Sequence, residues 1–188
     1  MKVRVLKALN IPGLIVIALL LLTLQSTLFN HPTLKFFQPD ADLFMVLWVG
    51  IKRTFVEGGI LTLIFGYYVE ILSGAPQGLF LANYMMLFLG MRFMNQNFQI
   101  LNRRTIVLLG MGASLVSRIN ILFILFLINK ADNQWFHTIQ LLAPTAIIHA
   151  LIAVPIFRLF YRFDDWTLKN PESEHRFENE YHLDEEWV

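Results

Sequence analysis

An all-α integral membrane protein of six transmembrane helices, the second of them short, is the fold class this sequence predicts, and three observations lead to it. Hydrophobic residues make up 56% of the 188 residues and charged residues only 15%, whereas soluble domains carry roughly 25% charge. Long stretches are almost free of charge, and most reach the roughly 20 residues needed to cross a bilayer. The net charge of +1 also conceals a division of the chain. From Asp164 to Val188 there are nine acids against Lys169 and Arg176, a net of −7, so residues 1–163 carry +8. The reading is a basic six-span domain over 1–163 and an acidic cytoplasmic tail over 164–188. This composition argues against a soluble enzyme, a nucleic-acid reader and a disordered chain. The absence of cysteine removes disulfides, thiolate zinc sites, iron–sulfur clusters and cysteine nucleophiles together.

The first span is placed at about 11–29, where no formal charge falls between Lys7 and Lys35. Its basic start is like that of a signal peptide. However, Gln25-Ser26-Thr27-Leu28-Phe29-Asn30 offers no small-residue cleavage site, and a retained anchor is expected. The second, at about 38–51, is the difficult one, because Leu43–Ile51 holds only nine residues between Asp42 and Lys52. At ~1.5 Å per residue that run covers about half of a ~30 Å hydrocarbon core. It crosses only if Asp40, Asp42, Lys52 and Arg53 sit at the interfaces or inside the protein. The positive-inside rule arbitrates. Six spans with both termini cytoplasmic put 12 Lys and Arg inside and 2 outside, and five spans give at best 10 against 4. Six is the better solution.

Spans three and four, about 54–72 and 78–93, are joined by Ser73-Gly74-Ala75-Pro76-Gln77, whose Gly and Pro mark a turn, so they form a helical hairpin. Span five, about 105–128, carries only Arg118, and span six, about 138–160, is uncharged from His137 to Phe157 apart from His149 when protonated. The connections are short, and no sizeable extramembrane domain is expected.

Ionisable groups inside a bilayer are costly and face the bundle interior or a wet cavity, so Glu57, Glu70, Asn83, Arg118, Asn120 and His149 need explaining. Glu57 lies one turn from Arg53, and an i,i+4 pair near the cytoplasmic end accounts for it. Gly59, Gly66, Glu70 and Ser73 stand at offsets 0, 7, 11 and 14, a sector of about 60° on a helix. Small residues let membrane helices approach closely, so Glu70 points at another helix. Ser114 and Arg118, Thr145 with His149 and Ala153, and Asn83 with Gly90 place polar groups on small-residue faces of three further spans. Arg118 and His149 lie near mid-segment, Glu70 and Asn83 toward the outer side. A snorkelling Arg118 can reach Glu70. A structural ion pair is favoured there over a ligand or ion site and over separate solvated positions.

Other constellations carry little. His175 and His182 are better read as solvated tail residues than as metal ligands. Gly110, Met111, Gly112, Ala113 and Ser114 form a small-residue seam that more often packs internally. No nucleophile elbow, zincin or Walker motif is present, and Asp132 and His137 form no triad by spacing. Catalysis and cofactor chemistry have no warrant in the sequence.

The order of features resembles the rod shape-determining MreD family of bacterial inner-membrane proteins. The likeness rests on Leu24-Gln25-Ser26-Thr27-Leu28 ending the anchor, and on Pro39-Asp40-Ala41-Asp42-Leu43-Phe44-Met45-Val46 opening the second segment. It continues through Lys52-Arg53, the Gly59, Gly66, Glu70 helix, and the turn Ser73, Gly74, Pro76, Gly78. It covers 10–162 in layout and 24–90 at residue level. Glu70 stands where the family usually has Asp, Asp42 is an extra acid, and the acidic tail is not a family feature.

The resemblance implies a non-enzymatic scaffold of the cell-elongation complex that directs peptidoglycan synthesis and cell shape. Its implied direct partner is MreC, with MreB, RodZ, and RodA with its transpeptidase in the wider complex. It also implies a compact bundle similar to the S-components of energy-coupling-factor transporters. That similarity supplies the alternative of a small-molecule or lipid-binding transporter subunit, whose pocket would be lined by Glu70, Asn83, Arg118 and His149. For the scaffold, the expected docking surface is formed by the 34–42 loop and the 73–77 turn, with Pro39, Asp40, Ser73, Gly74, Pro76 and the adjoining Gly78 as its candidates. Lys2–Lys7, Lys52–Arg53 and Arg103–Arg104 are expected first of all to set topology, with contact to anionic lipid or cytoplasmic partners the lesser reading.

Overall fold

Each apolar run of the sequence becomes a helix. The computed structural model describes residues 2–28, 40–97, 103–129, 134–167 and 169. Among these it contains α1 (Lys2–Leu28), α2 (Ala41–Lys52), α3 (Phe55–Ser73), α4 (Leu79–Asn97), α5 (Arg103–Leu127) and α6 (Gln134–Trp166). Four of them are long and apolar enough to cross a membrane, over Ala8–Thr27, Phe55–Ser73, Arg103–Leu127 and Leu142–Trp166. The apolar part of α4, Leu79–Met94, is shorter. With 12 residues, α2 extends only about 18 Å.

The short helix sits at the centre. Ala41 to Gly50 are all buried, and α2 touches each of the other five helices. Those five form a ring in the order α1, α3, α4, α5, α6, which closes where Asn10 and Gly13 of α1 meet Asp164 and Phe163 of α6. A helix that is apolar on every side is stable only when surrounded, and Leu43–Ile51 has no polar face to offer. Trp48 packs edge-on against Phe157 at 5.6 Å between ring centroids and lies 5.9 Å from Phe160. Phe44 meets Phe157 at 6.5 Å and 87°. The α2 core is thus an aromatic and aliphatic plug filling the ring.

Local chemistry sets the breaks. Arg53 and Thr54 are extended, and the Thr54 side chain accepts from the Glu57 amide at 3.4 Å, capping α3. At the other end Gly74 takes φ 63°, a left-handed C-cap that glycine adopts without strain. The hairpin that follows packs backbone to backbone. A Cβ at Gly66 would stand 2.9 Å from the Leu81 Cα, which confirms the small-residue face on α3 and identifies its partner as α4. Similarly, a Cβ at Gly110 would stand 3.0 Å from the Ala153 Cβ, so the Gly110 end of the α5 seam packs internally, against α6.

The outer faces of the ring are apolar. Leu20, Ile71, Leu108, Ile119, Phe123 and Leu151 are all exposed, Leu151 to 73%.

Candidate functional site

Buried polar groups gather at two ends of the bundle. The first node lies at the end that holds the start of α1 and the close of α6. Asp164, fully buried, accepts on Oδ1 from the Arg53 guanidinium and from Asn10 Nδ2 at 2.9 Å, and on Oδ2 from Trp48 Nε1 at 3.1 Å. Asn10 returns its Oδ1 to Arg53 Nη2 at 2.9 Å and donates to Thr167 Oγ1 at 2.6 Å. Arg92 donates to the Arg53 carbonyl at 2.7 Å, drawing in α4. The expected Arg53–Glu57 pair is present at 3.6 Å, and Lys169 Nζ stands 3.1 Å from the same carboxylate oxygen. The connection of α1, α2, α3, α4 and α6 therefore runs through Arg53 and its partners.

Two sequence expectations are corrected here. Arg53 is 4% exposed, so it does not reach lipid or a cytoplasmic partner with Lys52. Asp164, grouped with the tail by its neighbours in the sequence, belongs to the interior because α6 runs on to Trp166.

The second node lies at the opposite end, where α2 begins. His149 of α6 is fully buried, and its Nε2 accepts from the Asp40 amide at 3.0 Å. Its Nδ1 lies 2.6 Å from the Thr145 carbonyl and 3.3 Å from Ser114 Oγ. With Nε2 accepting, the ring proton is assigned to Nδ1, which donates to Thr145. His149 thus holds the α2 N-terminus, while Gln25 Oε1 takes the next amide, Ala41 N, at 3.0 Å. Asn83 donates to Ser117 Oγ at 2.8 Å, linking α4 to α5. Neither node is complete: in the first, Arg53 Nε and Glu57 Oε1 face each other at 3.6 Å and have no hydrogen-bond partner among the described residues. In the second, Asp42 Oδ1 and Asn83 Oδ1, both buried, have no hydrogen-bond partner among the described residues.

The expected Glu70–Arg118 pair is replaced by two separate arrangements. The Glu70 carboxylate accepts from the Gly78 amide at 2.6 Å and the Leu81 amide at 3.5 Å, so it caps α4 across the turn. A helix start offers unpartnered amides and a positive dipole end, both suited to a carboxylate. Arg118, half-buried, lies 3.9 Å from Asp40. Asn120 is half-buried on α5. Of the docking candidates, Ser73, Gly74 and Gly78 are exposed, Pro76 and Asp40 are half-buried, and Pro39 lies outside the described residues. The remainder of the 34–42 loop before Asp40, and the tail apart from residues 164–167 and 169, also lie outside them.

Asp42 and Asn10 were not among the sequence candidates. Asp42 carried a usable signal, since an acid beside an apolar run too short to cross must be paired or buried. Asn10 offered none, standing at the edge of the first span among ordinary interfacial residues.

Two clefts are prominent. One of about 600 Å³ between α4 and α5 is lined by Met86, Met91, Met94, Gly90, Gly112 and other apolar neighbours. Another of about 280 Å³ lies between α2, α5 and α6. Neither is lined by Glu70, Asn83, Arg118 or His149. Among the described residues there is no group of three or more His, Cys, Asp or Glu placed to hold a metal ion. The chain matches no protein-family model, no curated protein and no solved structure.

Proposed function

We propose that this chain is a non-enzymatic scaffold of the bacterial cell-elongation complex, of the MreD kind. In this reading the six helices span the inner membrane, both termini are cytoplasmic, and MreC docks directly on the periplasmic turn 73–77 together with the 34–42 loop. MreB, RodZ, and RodA with its transpeptidase belong to the wider assembly. One observation carries the reading. The interior polar groups join helix to helix, while the outward faces are apolar and the α3–α4 turn is exposed. A chain so arranged works through lipid-embedded faces and short loops. A bilayer also explains how α2 can be short, since a helix enclosed by five others need not match the hydrocarbon thickness.

The transporter alternative asks Glu70, Asn83, Arg118 and His149 to line one cavity, whereas among the described residues Glu70 caps α4, Asn83 binds Ser117 and His149 holds the Asp40 amide. That favours the scaffold. Because the chain has no cysteine, single cysteines at Ser73 or Gln77 test the assignment cleanly. A disulfide or short crosslink to the periplasmic part of MreC is expected from both positions in native membranes. Recovery of the tagged chain in membrane complexes from which MreC is consistently missing would refute it.

A further inference from the structure

The cleft of about 280 Å³ is bounded by Lys52 at the end of α2, Arg103 at the start of α5, and Arg158 and Arg162 on consecutive turns of α6. Among the described residues none of these four cations has a carboxylate within ion-pair distance. This contrasts with Arg53, which is held by Asp164 nearby in the fold. Like charges at i,i+4 repel on a helix, so Arg158 and Arg162 leave an electrostatic demand that the described chain does not meet. The floor is apolar, with Trp48 and Phe157 buried at its base. Lys52 Nζ stands 5.7 Å from the Trp48 ring centroid, which holds the ammonium at the cleft.

Cations at the rim over an aromatic floor suit an amphiphile. Arginine forks grip phosphate oxygens in pairs, and the apolar floor receives the glycerol and first methylenes. A free phosphate ion gains nothing from that floor. Basic pockets between helices on the cytoplasmic side are suited to anionic headgroups. We propose that this cleft is a specific site for the phosphate headgroup of an anionic phospholipid. The proposal rests on the bilayer reading above but not on the identity of any protein partner.

The full chain in nanodiscs containing phosphatidylglycerol and phosphatidylcholine of identical acyl chains provides the test, with retained lipid read by native mass spectrometry. Retention of phosphatidylglycerol about tenfold above phosphatidylcholine is expected. The Arg158→Gln/Arg162→Gln pair should lose that preference with unchanged unfolding in lipid-free detergent, because both side chains are exposed. Arg104→Gln, a basic change outside the cleft, should retain it. Inorganic phosphate at the same concentration should not displace the lipid. Equal retention of both lipids, a preference that survives the double substitution, or displacement by inorganic phosphate overturns the proposal. So does a preference that emerges only after Glu172, Glu174, Glu178 and Glu180 are changed to Gln, since the tail would then be the cleft's occupant. A chain that fails to enter nanodiscs at all sinks the bilayer reading too, whereas one that enters without headgroup preference sinks this proposal alone.

Discussion

The two polar nodes are built from similar residue types, a buried base, a carboxylate and hydroxyls, yet they differ in how far their charges are enclosed. In the Arg53–Asp164 node both side chains are almost fully enclosed, at 2% and 0% exposure, and Asp164 receives donors from Asn10, Trp48 and Arg53. In the His149 node the charged groups stand apart, Arg118 and Asp40 being 3.9 Å from each other and 27% and 34% exposed. Each node also holds two buried polar atoms without a hydrogen-bond partner among the described residues, Arg53 Nε and Glu57 Oε1 in the first and Asp42 Oδ1 and Asn83 Oδ1 in the second. A buried charge is costly unless its counter-charge is in place, and losing one partner strands the other. The first node is therefore a closure that locks the ring around α2. The second keeps its charged pair partly solvated, so it depends less on any one partner.

The largest effect should come from the closure. Asp164→Leu strands Arg53 in the interior and should cost about 3–5 kcal/mol, read by unfolding in detergent. Arg53→Met combined with Asp164→Leu should recover much of that loss. A double variant no more stable than either single would break the contrast between the nodes.

A smaller loss is expected at the open node. His149→Ala removes the acceptor for the Asp40 amide, and about 1–3 kcal/mol should follow. Hydrogen exchange should rise selectively at the start of α2. Uniform exchange across all helices would instead make His149 part of the global closure.

The smallest effect belongs to Arg118. Arg118→Gln should change stability by less than about 1 kcal/mol, since the group is partly solvated and its ion pair is long. Glu70→Lys and Arg118→Glu together should show no mutual rescue, because each side chain has its own partner. Rescue in that pair would restore the direct link the sequence suggested and merge the turn with the open node.

Much of this fold could be read in advance. Charge spacing, the Gly and Pro of the 73–77 turn and the positive-inside count together located the six helices of the described residues, and the Gly59, Gly66, Glu70 sector named the face that meets another helix. Its partner was not legible, since angular position on one helix says nothing about which neighbour lies opposite. The Glu70 acceptor role was missed for a related reason. The groups it binds are the Gly78 and Leu81 amides, which carry no side-chain signature. Arg53 and Asp164 are 111 residues apart, and each sits among like charges in the sequence. Lys52 makes Arg53 look interfacial, and Asp165 makes Asp164 look like tail. His149 and Asn83 were named as buried polar candidates and are fully buried, though their partners, the Asp40 amide and Ser117, emerge only from packing.

Composition alone pointed to helices, because in the proposed bilayer setting the backbone polar groups of long uncharged runs are satisfied within a helix. It also set the breaks, through Gly74 and the Arg53-Thr54 step. What tertiary structure decided was which short helix lies inside and which charges are enclosed with it. That choice depends on five helices closing around one, and on a single carboxylate near the chain's end reaching an arginine near its start. Such an arrangement follows from the joint geometry of all six segments, not from any one segment's pattern.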